Sequence, residues 1–209
     1  MRKFTKAASG VAVTGTALLA AIGLAAAPAF ASVSSVVITG STGSGGAFTA
    51  TATSPTLTDN TTGAKLTCTS AAATGAAANG TYTAGAPTSI KVGTVKTATW
   101  NTCKLNSITF GVTAQSLPWN LNITGPTASG STPGSLTGVS AKLTGLCTAT
   151  ITGTVTGSYV NSSHTLALNA GSLSVSGVGG LCLGLINNGD SITYKANYVV
   201  TPSLQVNAT

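Results

Sequence analysis

Few side chains in this sequence can move a proton. Past residue 31 there is one histidine, His164, two aspartates, Asp59 and Asp190, and neither glutamate nor arginine. A Ser-His-Asp triad would need His164 as its base. That residue closes the run Asn161-Ser162-Ser163-His164, which reads as a turn between strands, and no G-x-S-x-G elbow accompanies it. Glycosidase chemistry needs two carboxyls flanking one bond. Asp59 precedes Asn60-Thr61-Thr62-Gly63 and Asp190 follows Asn188-Gly189, and both settings are turn chemistry. Two carboxylates are also too few for a calcium cage unless backbone carbonyls supply the rest. The glycines at 40–46 and 177–180 lack the lysine and helix start of a phosphate loop. These absences predict a non-enzymatic protein with no catalytic residue, no metal and no cofactor.

Four cysteines remain: Cys68, Cys103, Cys147 and Cys182. Zinc sites need close ligand pairs, whereas the nearest cysteines here lie 35 residues apart. An even count in an exported chain reads as two disulfides. Trp100 and Trp119 are the candidate binding residues. Either could stack on a sugar or another flat ligand, and Lys91, Lys96 and Lys104 lie near Trp100 in sequence. The structural alternative is a core tryptophan packed on a disulfide. Trp100 stands three residues before Cys103, which suits that alternative.

The N-terminus reads as an export signal, residues 1–31. Arg2, Lys3 and Lys6 precede an apolar stretch from Ala7 to Ala27, and Ala29-Phe30-Ala31 supplies small residues for cleavage after Ala31. Ala27-Pro28-Ala29 is the alternative site. No later stretch approaches the roughly 20 apolar residues of a spanning helix, so no transmembrane anchor is expected after cleavage. Loss of the signal removes three of the nine basic residues; six lysines against two aspartates leave a net charge of +4 instead of +7. Those lysines stand singly along the sequence, whereas nucleic-acid or anionic-membrane binding normally shows clustered basic residues. No nucleic-acid partner is expected.

The elements that must position these residues read as strands throughout. In 147–159 the odd positions are Cys147, Ala149, Ile151, Gly153, Val155, Gly157 and Tyr159, and the even positions are all threonine or serine. A period of two with one apolar and one hydroxyl face is a half-buried strand. Gly153 and Gly157 mark a bulge or a close backbone approach. Ile108, Phe110 and Val112, and Ile192, Tyr194, Ala196 and Tyr198, alternate in the same way. Short strands between Gly/Asn/Pro/Ser turns predict an all-β antiparallel sandwich or barrel. Residues 32–209 are taken as a single domain, with Gly130–Gly134 as an internal connector.

The cysteine spacings of 35, 44 and 35 residues are symmetric, which prompts a search for a repeat. Cys68-Thr69 matches Cys147-Thr148. Asn106-Ser107-Ile108-Thr109-Phe110 matches Asp190-Ser191-Ile192-Thr193-Tyr194, and Pro118 and Pro202 keep the same offset. A tandem duplication with units 58–124 and 137–209 follows. It favours the pairs Cys68–Cys103 and Cys147–Cys182 over the two other connectivities.

Trp100 with Cys103, Pro118-Trp119, Cys147, Cys182-Leu183-Gly184-Leu185, Asn188-Gly189-Asp190 and Tyr198 resemble a group of small secreted actinobacterial four-cysteine β-proteins. The resemblance implies secretion and two disulfides, and it carries over no catalytic or binding residue.

Two functions are expected on these grounds. The first is an exported structural or interaction module at or outside the cell surface, whose hydroxyl-faced strands pair edge to edge or meet envelope components. The alternative is a binder of a small apolar ligand, such as a lipid or polyketide-like molecule, with a pocket inside a barrel.

Overall fold

The computed structural model describes residues 32–83 and 89–209. The expected export signal lies outside those residues. The chain forms an all-β fold: an eight-stranded antiparallel barrel with a three-stranded sheet beside it.

Eight staves make the barrel. Strands β2 (Ala47–Thr53) and β3 (Thr56–Asp59) are two halves of one stave, as are β7 (Ile108–Gln115) and β8 (Trp119–Ile123). The others are β4 (Lys65–Ala76), β6 (Ile90–Leu105), β9 (Ser131–Thr144), β10 (Cys147–Val160), β11 (Thr165–Gly180) and β12 (Ser191–Thr201). Each stave pairs antiparallel with the next in the chain, and β12 returns to β2 and β3 to close the ring. Pairing with β4 keeps one register from Ala47↔Ala76 to Thr58↔Lys65 across Ser54-Pro55, so those two residues are a kink in a single stave.

The alternation read from sequence is the inside–outside alternation of this barrel. Cys147, Ala149, Ile151, Val155 and Tyr159 are buried, while the threonines between them face outward and are at most half-buried. The two glycines of β10 stand where neighbouring backbones come close. A Cβ at Gly153 would lie 2.0 Å from the Ser172 carbonyl oxygen, and one at Gly157 would lie 2.0 Å from that of Ala167. The ladders of β10 shift register beside both, as bulges do.

Each half of the chain supplies four staves, and the disulfides fall in corresponding places. Cys68–Cys103 joins β4 to β6, where the two residues are direct cross-strand partners. Cys147–Cys182 joins the start of β10 to the residues just after β11. The corresponding staves begin earlier than the units 58–124 and 137–209, at Ala47 and Ser131. The connector also differs from the expectation: residues 131–134 belong to β9, with Ser131 paired to Val160 and Gly134 to Gly157. Gly134 is small because its stave lies close to β8, where a Cβ would meet the Asn122 carbonyl at 2.8 Å.

The two ends of the barrel are built differently. At the end where β9 begins and β10 finishes lies the small sheet β13-β1-β5, made of β1 (Ser35–Thr39), β5 (Gly80–Thr83) and β13 (Gln205–Ala208). Ile38 and Val206 turn inward from it and are buried. The chain from β12 to β13 is stitched across this end. The Tyr159 hydroxyl donates to the Leu204 carbonyl at 2.9 Å, Thr132 Oγ1 to the Val206 carbonyl at 3.0 Å, and Asn161 Nδ2 to the same oxygen at 2.9 Å. The opposite end carries the β3–β4, β6–β7 and β9–β10 turns and the loop 181–190. That loop sets Ile186 into the core and is held to the β3–β4 turn by Thr62 Oγ1 donating to the Leu185 carbonyl at 2.9 Å.

Candidate functional site

Inward-facing residues do not fill this barrel. A cavity of about 150 Å³, the space open to the centre of a water-sized sphere, lies inside it. A single buried water needs about 10–15 Å³ on that measure. The wall draws on every stave, with Phe48, Leu66, Val95, Leu136, Ile151 and Leu168 among its apolar side chains. An eight-stranded barrel is of the size whose interior is either just filled or holds one small ligand.

The space has a local origin. Ala50, Ala73 and Ala98 are register partners across β2, β4 and β6, and all three line the cavity. A row of three methyl groups stands where branched or aromatic side chains would meet the opposite wall.

Trp100 and Trp119 both belong to the wall, with ring centroids 6.4 Å apart and planes inclined at 41°. Trp119 is buried and Trp100 is partly buried against the core. Trp119 is 3% exposed, and its indole N–H donates to the Gln115 carbonyl at 2.9 Å. Trp100 donates to the Tyr194 hydroxyl at 3.1 Å, and Tyr194 meets the Tyr198 hydroxyl at 2.7 Å. This chain of three polar tips joins a largely apolar wall that also includes Asn122, Thr132 and Tyr159. Sequence reasoning placed Tyr194 and Tyr198 on one strand face but did not name them as site residues. The signal available was their position within the alternation Ile192, Tyr194, Ala196, Tyr198.

Burial is the leading influence on these phenols. It pushes Tyr194 and Tyr198 well above the ordinary tyrosine value, and for Tyr198 the adjacent Tyr194 adds to the rise. Burial likewise pushes Tyr159 up to about 12, against an opposing hydrogen bond to Leu204. Between the ordinary value of about 10 and about 12, an unfolded chain gives up the Tyr159 proton and the folded chain keeps it. The folded state then binds more protons, so its stability falls as pH rises through that window. Spectrophotometric titration is expected to show Tyr159, Tyr194 and Tyr198 ionising above the ordinary tyrosine value or together with unfolding. Their release near pH 10 in the native protein would contradict the buried placement.

The other candidates lie away from the cavity. His164 occupies the turn 161–164, is half-buried, and sets Nδ1 3.3 Å from the Leu204 carbonyl. Asp59 and Asp190, 131 residues apart in sequence, are brought together beneath the loop 181–190, and both are buried. Asp59 Oδ1 accepts from the backbone N–H groups of Thr61 and Thr62 at 2.8 and 3.0 Å, while its Oδ2 has no donor. Asp190 Oδ2 accepts from the Asn187 backbone at 2.7 Å and its side chain at 3.1 Å. Burial works to raise the Asp190 pKa, but the Asn187 N–H and then the side chains of Asp59, Asn187 and Thr61 outweigh it. The carboxyl is held below its ordinary value. Each aspartate organises a turn, and burial at 1% and 6% exposure leaves neither open to a substrate.

No protein-family model, curated protein or solved structure matches this chain.

Proposed function

We propose that this protein binds a small apolar molecule inside its barrel, after export from the cell. The observation that carries the reading is the unfilled interior: about 150 Å³ of space walled almost wholly by aliphatic and aromatic side chains. Apolar cavities of about this size stay dry and take guests such as benzene. Water gains few hydrogen bonds there, so an uncharged guest displaces little of value. The Trp100–Tyr194–Tyr198 polar tips are bonded to one another and the wall shows almost no polar surface, which favours an apolar ring or alkyl compound.

Two disulfides fit an oxidising compartment, and among the described residues no helix is long and apolar enough to cross a membrane. The disulfides support the export part of the proposal. The reading as a self-assembling module rests on free strand edges. Closure through β12 and β2 gives every stave two neighbours and, among the described residues, leaves edges only on β5 and β13, each four residues long. Barrels close in this way without exposing a pairing template, and the balance moves to the binder.

Native mass spectrometry of protein purified from its own host tests the proposal. A retained small molecule is expected, and its return to the stripped protein should change the emission of Trp100 and Trp119, which both face the guest. Bare oxidised protein that also fails to take up any of a panel of hydrophobic fluorophores would defeat the reading.

A further inference from the structure

The loop end of the barrel carries a feature that ligand binding alone does not use. Leu146, Leu181 and Leu183 are 60%, 70% and 73% exposed, the most exposed large apolar side chains among the described residues. They sit on two neighbouring connections, the β9–β10 turn and the loop after β11. The Leu181 N–H donates to the Leu146 carbonyl at 3.0 Å. The Cys147–Cys182 disulfide runs between the same two connections, with Leu146 beside one cysteine and Leu181 and Leu183 on either side of the other. The three leucines are thus pinned together at one end of the barrel.

Charge supplies the second observation. Both aspartates are buried, while Lys65, Lys91, Lys96, Lys104, Lys142 and Lys195 are all exposed. The charged side chains on the described surface are therefore all cationic. Lys65 opens β4, Lys104 is the last residue but one of β6 and Lys142 lies two residues from the end of β9, so three of the six stand toward the leucine end. Protruding apolar side chains with cationic neighbours suit the boundary of an anionic bilayer, where leucine enters the acyl region and lysine meets headgroup charge.

We infer that the end bearing Leu146, Leu181 and Leu183 docks on an anionic lipid membrane, from which the cavity takes its apolar guest. The source of the guest rests on the proposed function, whereas the docking surface stands on the leucines and lysines alone. A water-insoluble guest partitions into bilayers. Docking by this end brings the loop 181–190, which closes the barrel there, against the lipid.

Flotation with vesicles tests the inference, using protein expressed from the full sequence in an exporting host. Wild type is expected to float with phosphatidylglycerol–phosphatidylcholine vesicles and to do so less at high salt. Leu181→Ser/Leu183→Ser should partition at least about tenfold more weakly. Lys65→Gln/Lys104→Gln/Lys142→Gln should lose the preference for phosphatidylglycerol. Hydrophobic-fluorophore uptake in vesicle-free solution should persist in both variants, showing that they fold. Equal flotation of wild type and the leucine variant would overturn the inference, because binding would then come from elsewhere in the chain. A leucine-dependent dimer without flotation would also overturn it and assign the surface to a second copy. Flotation that depends on the leucines without fluorophore uptake in any form would leave the docking surface standing and the cavity reading refuted.

Discussion

Ala73→Phe is expected to abolish guest binding while leaving the barrel folded. Ala73 is the middle member of the row Ala50, Ala73, Ala98, and its methyl group faces the cavity. A phenyl ring placed there is about the size of the guest that a 150 Å³ apolar cavity accepts. The side chain then competes with the ligand at an effective concentration that no free ligand reaches. Affinity should fall by about 100-fold or more, close to 3 kcal/mol. Enlarging a residue in a well-packed core typically costs about 1–3 kcal/mol. Here the ring enters empty space, so the urea midpoint should change little or rise. Thr74→Phe is the control. It adds the same ring one residue along, on the outer face where Thr74 meets Thr97 at 2.7 Å, and should leave affinity within about twofold. Equal loss in both variants would show that the cavity is not where the guest sits.

That prediction depends on structure the sequence could not display. Strand content was legible because the period of two is local: Ile151 and Thr152 point opposite ways wherever the strand goes. The disulfides were legible because spacings of 35, 44 and 35 residues select one connectivity once a repeat is assumed. Closure is a different kind of fact. It rests on Val199↔Thr51 and Ile192↔Asp59, pairings between chain segments more than 130 residues apart, and β-branched alternation looks the same in an open sandwich. The cavity was hidden for a related reason. An alanine on the inner face reads as core whether a large neighbour reaches over it or nothing does. Ala50, Ala73 and Ala98 acquire their meaning only when register sets them side by side. The aspartates show the same limit: each is a turn residue in sequence, and their meeting is a product of the β3–β12 pairing. Trp100 and Trp119 were singled out for their chemistry alone, and the fold gives them one shared space.

Removing either disulfide should destabilise the barrel, but only one of the two should change how a guest leaves it. Each bridge closes a loop of 35 residues, worth about 3–4 kcal/mol when the denatured chain is freed. Cys68→Ala/Cys103→Ala acts between two long staves that keep their ladder from Leu66↔Leu105 to Ala76↔Thr94. Its expected result is a lower urea midpoint with the guest release rate within about threefold of wild type, because native contacts around the cavity persist. Cys147→Ala/Cys182→Ala should cost a similar amount of stability and also free the base of the loop 181–190. That loop would then depend on the Leu181–Leu146 bond at its base, on Thr62 to Leu185, on Asn188 to Val178, on the backbone bonds of Gly189 and Asp190 to Val175, on the Asp190 turn and on buried Ile186. Local opening has its own free energy, set by the contacts a segment makes. A weaker tether should therefore speed release by at least about tenfold, a change of about 1.4 kcal/mol. Stopped-flow displacement of a bound fluorophore measures the two rates. Faster release in the second variant and not the first makes the end bearing the three leucines the exit. The reverse result would move the exit to the end covered by β1, β5 and β13. Removal of both bridges, at about 6–8 kcal/mol, approaches the whole stability of about 5–15 kcal/mol typical of a domain, and the four-alanine protein should be largely unfolded without its guest.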